Sequence, residues 1–296
     1  MQIVPFGLPF WEPDYFALIN LLALAGLYLW AANRAKRITG QSWSIARTIS
    51  FLCAIAIMIA TYLGPFSAWA HVAFWPHMMQ HLAIMMVAGP LIVLSNPITL
   101  TFINLGPSGR RNVVKILRSR AMTVITNPYF GWSFFALVLL GTHVIFVMEW
   151  ILTDHDAMMF IERPIFLLAA LIFYYPLIGN DLIAKRPAPS IRLVSLGLMM
   201  IPETVLGMVI HFAPIPLYPT YIDASVASGL DPLTDQKFAG ALMWALGMVL
   251  DGFWMMIAAL QWWKDQEKET DQLERREAAE SIESIESIES IEAQRQ

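Results

Sequence analysis

The chain has 296 residues, of which 57% are hydrophobic and 14% charged, with a mean hydropathy of +0.56. That balance excludes an ordinary soluble domain, in which roughly 25% of residues are charged, and makes the chain an integral membrane protein. Its net charge of −4 belongs to residues 264–296, where eleven acidic residues face five basic ones; the membrane part is slightly basic.

In chain order, apolar runs long enough to cross the roughly 30 Å hydrocarbon layer as helices fall at about 16–32, 45–63, 78–94, 130–148, 165–178, 193–212 and 239–262. The pattern predicts an all-α, polytopic bundle of seven transmembrane helices. One membrane domain spans 16–263, preceded by an N-terminal segment, 1–15, and followed by an acidic tail, 264–296. The fifth helix is short and begins near Met158 if the chain enters the membrane on the far side of Arg163.

Lys and Arg divide unevenly between the connections. Arg34, Lys36, Arg37, Arg47, Arg110, Arg111, Lys115, Arg118, Arg120, Lys185, Arg186 and Arg192 fall on one side, against Arg163 and Lys237 on the other. The basic side is expected to be cytoplasmic, which places the N-terminus outside and the C-terminus inside. Residues 1–15 contain no Lys or Arg and so lack the charged start of a cleavable signal peptide. Phe10, Trp11 and Tyr15 are expected to anchor the first helix at the interface.

This topology puts all six histidines, His71, His77, His81, His143, His155 and His211, on the outer side with Glu12, Asp14, Glu149, Asp154, Asp156, Glu162, Asp223, Asp231 and Asp235. Such a surface suits a cation. His77 and His81 lie about 6 Å apart along one face of the third helix, with Met85 continuing the row and Met78 three residues before His81. Imidazole with thioether is a soft set compatible with copper(I). His143 and His211 reach a similar depth on other helices and are the candidates for a third ligand; His71 and His155 are expected to face solvent. Cys53, expected to be buried in the second helix, is the single cysteine, which excludes a thiolate zinc site and a disulfide framework. A competing reading has the histidines meeting carbonyls or headgroups and the methionines filling gaps between helices.

Glu203 and Asp251 lie deep in helices six and seven. Intramembrane carboxylates are costly, so they are expected either to bond each other or nearby Asn and Ser, or to line a polar path. Pro214, Pro216 and Pro219 stiffen the chain beside Tyr218 and Tyr221, predicting an aromatic strip over the bundle mouth. Asp235 is expected to cap helix seven, and Gly240 and Gly247 to let helices pack closely. Four Ser-Ile-Glu triplets at 281–292 repeat every three residues, so their isoleucines form no tight stripe; a solvated, partly helical tail is expected.

The blocks His77-Met78-Met79-Gln80-His81-Leu82 through Gly89-Pro90-Leu91, His143, Pro216-Leu217-Tyr218-Pro219 with Tyr221, and Asp235-Gln236-Lys237-Phe238-Ala239-Gly240-Ala241-Leu242-Met243-Trp244 resemble the CtaG-type cytochrome c oxidase assembly factors. The resemblance runs from about residue 14 to 263. It implies a seven-helix protein of the bacterial plasma (inner) membrane that helps a haem–copper oxidase mature. Its partners would be oxidase subunits and lipid, with no nucleic acid, and copper would be the cargo. The family's His-x-x-Glu-His element falls on Met159-Phe160-Ile161-Glu162-Arg163, where both imidazoles are missing, and an internal Glu162–Arg163 ion pair is expected there. A site rebuilt from Met159, His155 and His211 is the alternative to its loss.

No nucleophile–base pair or phosphate-binding loop appears in the connections, so an assembly factor is expected and not an enzyme. Two alternatives are a transporter of metal or protons using Glu203 and Asp251, and a haem carrier with His81 and His143 as axial ligands.

Overall fold

The computed structural model describes residues 14–293, with side chains throughout except at 155, 269 and 277–293. Phe10, Trp11 and Glu12 therefore lie outside the described residues, as do the side chains of the Ser-Ile-Glu repeat. Helices account for the regular structure, and no strand occurs among the described residues.

Among the described residues, six helices are long and apolar enough to cross a membrane: Tyr15–Thr39, Ile45–Leu63, Phe74–Asn104, Met158–Ile178, Pro189–Phe212 and the apolar part of Pro232–Ala293. A bent pair, Pro128–Thr142 and Ile145–Thr153, meets at 73° and makes a seventh crossing when taken as one span. The protein is an all-α polytopic membrane protein, and these are its first to seventh spans in chain order, the bent pair being the fourth. The fifth begins at Met158, ahead of Arg163. The seventh starts at Pro232, seven residues before the apolar run, because Pro suits the first turn of a helix.

The third span is the central one, with 56% of its apolar window buried against 22% for the first. Close approaches hold it there. A Cβ on Gly89 would come 2.5 Å from that of Ala170 on the fifth span. Spans six and seven meet at Gly207 and Gly240, where a Cβ on Gly240 would lie 2.6 Å from the His211 amide nitrogen. Without water in the hydrocarbon layer, backbone polar groups must be satisfied from within. Gln80 donates to the Thr61 carbonyl at 2.7 Å. Arg192 donates to the Leu177 carbonyl and to Gln261, whose own amide reaches the Ile178 carbonyl at 3.0 Å.

Three departures from regular helix shape the bundle. The fourth span, expected as one helix over 130–148, breaks at His143, where Val144 turns extended. Residues 83–88 and 158–162 are π-helical, and the wider turn frees carbonyls; that of Met86 is taken by the Trp254 indole N–H at 2.7 Å. At Asn96 the backbone is left-handed, φ 54°, and the helix restarts at Pro97. Its first amides, Ile98 and Thr99, donate to the Asp181 carboxylate at 2.7 and 2.6 Å.

Cys53 is exposed, not buried. The second span buries Phe51, Ala54, Ile55 and Met58, and Cys53 lies on the opposite face, directed outward from the bundle.

Gly240→Ala should lower thermal stability in detergent by about 1–3 kcal/mol, the usual cost of overpacking a tight contact. Gly26→Ala, with nothing within 4 Å of its Cβ position, should leave stability equal or higher, since Ala is the better helix former. Asp181→Ala should cost about 0.5–2 kcal/mol through the lost cap, read as a drop in the same melting measurement.

Candidate functional site

The site is built on the first two turns of the third span. Its opening amides, Phe74 and Trp75, donate to the Asp235 carboxylate at 2.6 and 3.2 Å. The position of Asp235 in the sequence suggests a cap for its own helix; it instead caps the histidine-bearing one, because the start of the seventh span lies against that of the third. This contact also sets a negative charge at a positive helix end.

One turn further on, His77 and His81 stack edge to face, ring centres 4.4 Å apart, and both are at most 4% exposed. They point at Glu162, which the π-turn at the start of the fifth span carries inward to 3% exposure. Glu162 Oε1 lies 3.2 Å from His81 Nε2 and 3.4 Å from His77 Nε2. The three ligand atoms all fall within 4.8 Å of one another. Ligands at about 2.1 Å from a tetrahedral metal ion stand about 3.4 Å apart, so this set has the dimensions to hold one. The 3.4 Å approach of His77 is not aligned as a hydrogen bond, and among the described residues neither His77 nitrogen finds a hydrogen-bond partner. Buried polar atoms are rarely left so.

The donors that His, Asp and Glu residues bring together are two nitrogens and an oxygen, where the sequence suggests imidazoles with thioethers. Met78 Sδ turns away to His143 Nε2, at 3.4 Å. Met85 lies in the π-segment and lines a small cavity together with His81. His143 stands beside the site, its ring centre 5.2 Å from that of His81 and its Nδ1 2.6 Å from the Leu139 carbonyl.

His211 is not brought to the site. It sits half-exposed where spans six and seven cross, its Nδ1 2.7 Å from the Lys237 carbonyl. Arg163 does not pair with Glu162 either. Its guanidinium lies 3.1 Å from Asp14 and 4.7 Å from the centre of the Tyr62 ring, so the Glu162 carboxylate is left to the imidazoles. Met159 is half-buried, while the side chain of His155 lies outside the described ones. His71 is exposed at the end of a short helix, Pro65–Ala70.

The proline-stiffened strip closes over this end. The Tyr218 hydroxyl donates to the His143 carbonyl at 3.0 Å and that of Tyr221 to the Ala70 carbonyl at 2.8 Å. Both rings pack on Phe74, and Tyr221 also reaches His77, 6.2 Å between centres. Burial pushes both phenols above their ordinary range, so they remain O–H donors. Glu149 fixes the strip by accepting from the Thr220 hydroxyl at 2.7 Å.

Deeper in the bundle, Glu203 and Asp251 are 3% and 0% exposed. Asp251 accepts from the Tyr174 hydroxyl at 3.5 Å and shares a side-chain hydrogen bond with Glu203, so the two carboxylates bond each other, one of the arrangements the sequence suggests. Glu203 lies against Gly247, where a Cβ would come within 3.1 Å of its Oε2.

Glu162 is the site residue that reasoning from the histidines missed. Its signal is the acidic position of the His-x-x-Glu-His element, which this chain keeps while losing both flanking imidazoles.

Residues 26–265 match the family described as cytochrome c oxidase caa3 assembly factor. Two curated relatives, uncharacterized proteins of Mycobacterium bovis and Mycobacterium tuberculosis, are each 25% identical over 273 residues, which is 87% of this chain. The chain spans 40% of the length of those relatives. No solved structure matches. The family match covers all seven spans, except for the start of the first, and every residue of the His77–His81–Glu162 cluster, and the chain belongs to the cytochrome c oxidase caa3 assembly factor family.

Proposed function

We propose that this protein handles copper for the maturation of a haem–copper cytochrome c oxidase, taking one ion between His77, His81 and Glu162 at the external face of a bacterial plasma membrane. The observation that carries this reading is the mutual distance of the three ligand atoms, within 4.8 Å in a buried setting. Family membership supplies the oxidase, and the uneven distribution of Lys and Arg supplies the side. The copper is cargo.

The chemistry of the set favours the divalent ion. A carboxylate with two imidazoles is a harder donor group than thioethers, and the charge on Glu162 offsets part of the ion's own in a low-dielectric setting. The Asp235 contacts fix the turn that carries both imidazoles, so the donors are held in place before an ion arrives. The Tyr218–Tyr221 strip covers the pair and limits water at the site. Three protein donors leave a further position for a water or for a ligand of the receiving protein, which a transfer site requires.

Titration of the purified protein with Cu(II) should show about one ion per chain. The His77→Ala, His81→Ala double variant and Glu162→Ala should each lose more affinity than the roughly 10–100-fold that outer-shell partners command. Met78→Leu should bind as wild type does; equal copper in the wild type and the double variant would remove the site. In cells, deletion should leave oxidase polypeptides present but oxidase activity low. Activity should return with the wild-type gene and not with the double variant, and unchanged activity after deletion would overturn the assembly role.

A further inference from the structure

Spans four and six lie side by side and leave a groove between them that opens from the basic side of the bundle. Tyr129 and the half-buried Trp132 of the fourth span form one wall, and Ile191, Val194, Leu198 and Ile201 of the sixth form the other. The four aliphatic positions follow one another at three, four and three residues, which puts them on one face of the helix. Tyr129, Val194 and Ile201 are 73%, 60% and 56% exposed, so this face is turned to the membrane. The groove has a volume of about 580 Å³, inside the roughly 300–1,000 Å³ of pockets that hold small molecules. From residue 191 to residue 201 it runs about 15 Å at 1.5 Å per residue. That is half of the roughly 30 Å hydrocarbon layer, the depth of one leaflet.

At Pro128, Tyr129 and Ile191 the groove continues into a second hollow of about 470 Å³, which Thr126, Asn127, Lys185 and Arg186 line at the ends of the two spans. Among the described residues no acidic side chain lines either hollow. Lys185 and Arg186 form no ion pair among the described residues. Arg186 gives one N–H to Asn180 Oδ1 at 3.0 Å and has others of its five donors to spare. Asp265 lies near enough to Arg186 to be felt but does not pair with it. An apolar channel one leaflet deep, with two cations at its mouth, is complementary to an amphiphile with an acyl chain and an anionic head.

We propose that this groove binds an anionic phospholipid, with one acyl chain along residues 191–201 and the phosphate between Lys185 and Arg186. The Arg186 fork suits two phosphate oxygens at once, and Lys185 adds a point charge. Tyr129 stands where the two hollows join, the level at which aromatic rings favour the membrane boundary. A zwitterionic choline lipid fits the same channel, but its own cation offsets the phosphate that Lys185 and Arg186 attract. Basic pockets between membrane helices recognise anionic heads in this way. The groove begins where the fourth span begins, at the opposite end of the bundle from the His77–His81–Glu162 cluster, and the proposal does not rest on that cluster holding a metal.

The full chain in detergent is titrated with dioleoyl phosphatidylglycerol or dioleoyl phosphatidylcholine, and bound lipid is read by native mass spectrometry. The wild type should bind the glycerol lipid about 30-fold more tightly than the choline lipid, at roughly fivefold per cation. The Lys185→Gln, Arg186→Gln double variant should bind the two lipids equally. Arg111→Gln with Lys115→Gln removes as much charge from the same side, outside the groove, and should keep the preference. Val194→Trp, which fills the groove, should weaken both lipids. Glycerol 3-phosphate, a head without chains, should not compete. Equal affinity for the two lipids in the wild type, competition by glycerol 3-phosphate, an unchanged preference in the Lys185, Arg186 variant, an equal loss in the Arg111, Lys115 variant, or unchanged binding by Val194→Trp would each overturn the proposal. The first two measurements need only wild-type protein, so the proposal stays open to refutation if a variant does not fold.

Discussion

Within a hydrocarbon layer a backbone amide or carbonyl has no water to turn to, and every break in a helix must be answered by another part of the chain. The irregular features of this bundle arise from that constraint. The helix restart at Pro97 is answered by Asp181, the start at Phe74 by Asp235, and the Met86 carbonyl freed by the π-turn by Trp254. Regular helix needs no such partners. The irregular segments thereby fix which spans sit side by side, since each requires one particular side chain from elsewhere.

The same constraint builds the site. His77 and His81 lie between the Asp235-capped start of the third span and its π-helical segment, and Glu162 enters through a second π-turn. A π-turn inserts a residue and rotates the helix downstream of it; Met85 lies within the first such segment, and the buried Glu162 ends the second. Two nitrogens and an oxygen meet there, while Met78 lies against His143 and Met85 lines a small cavity together with His81. Acidic residues that look like a cation-attracting surface have more local tasks: Asp14 ties down Arg163, Glu149 holds the aromatic strip, and Asp235 caps a helix. Glu162 faces imidazoles.

A bundle of this kind carries its charge where exposure keeps it solvated and its buried polar groups where they are paired. Arg192 is buried only with two acceptors in reach, the Leu177 carbonyl and Gln261. Glu203 and Asp251 are buried together, bonded to each other across the sixth and seventh spans and, through Asp251, to the Tyr174 hydroxyl.

The membrane class, the number of apolar runs and the pairing of His77 with His81 on one face were set by the sequence itself, because hydropathy and helical period are local properties. The resemblance of the His77–His81 and Asp235–Trp244 blocks placed the chain in its family for the same reason: each block is contiguous. What only the tertiary structure decided is which distant groups meet. Glu162 lies 81 residues from His81, and Asp235 is 161 from Phe74. The bend at His143, the two π-turns and the outward face of Cys53 arise from how the spans pack, so the approach of Glu162, and not His211, to the two imidazoles was legible only once the helices were side by side.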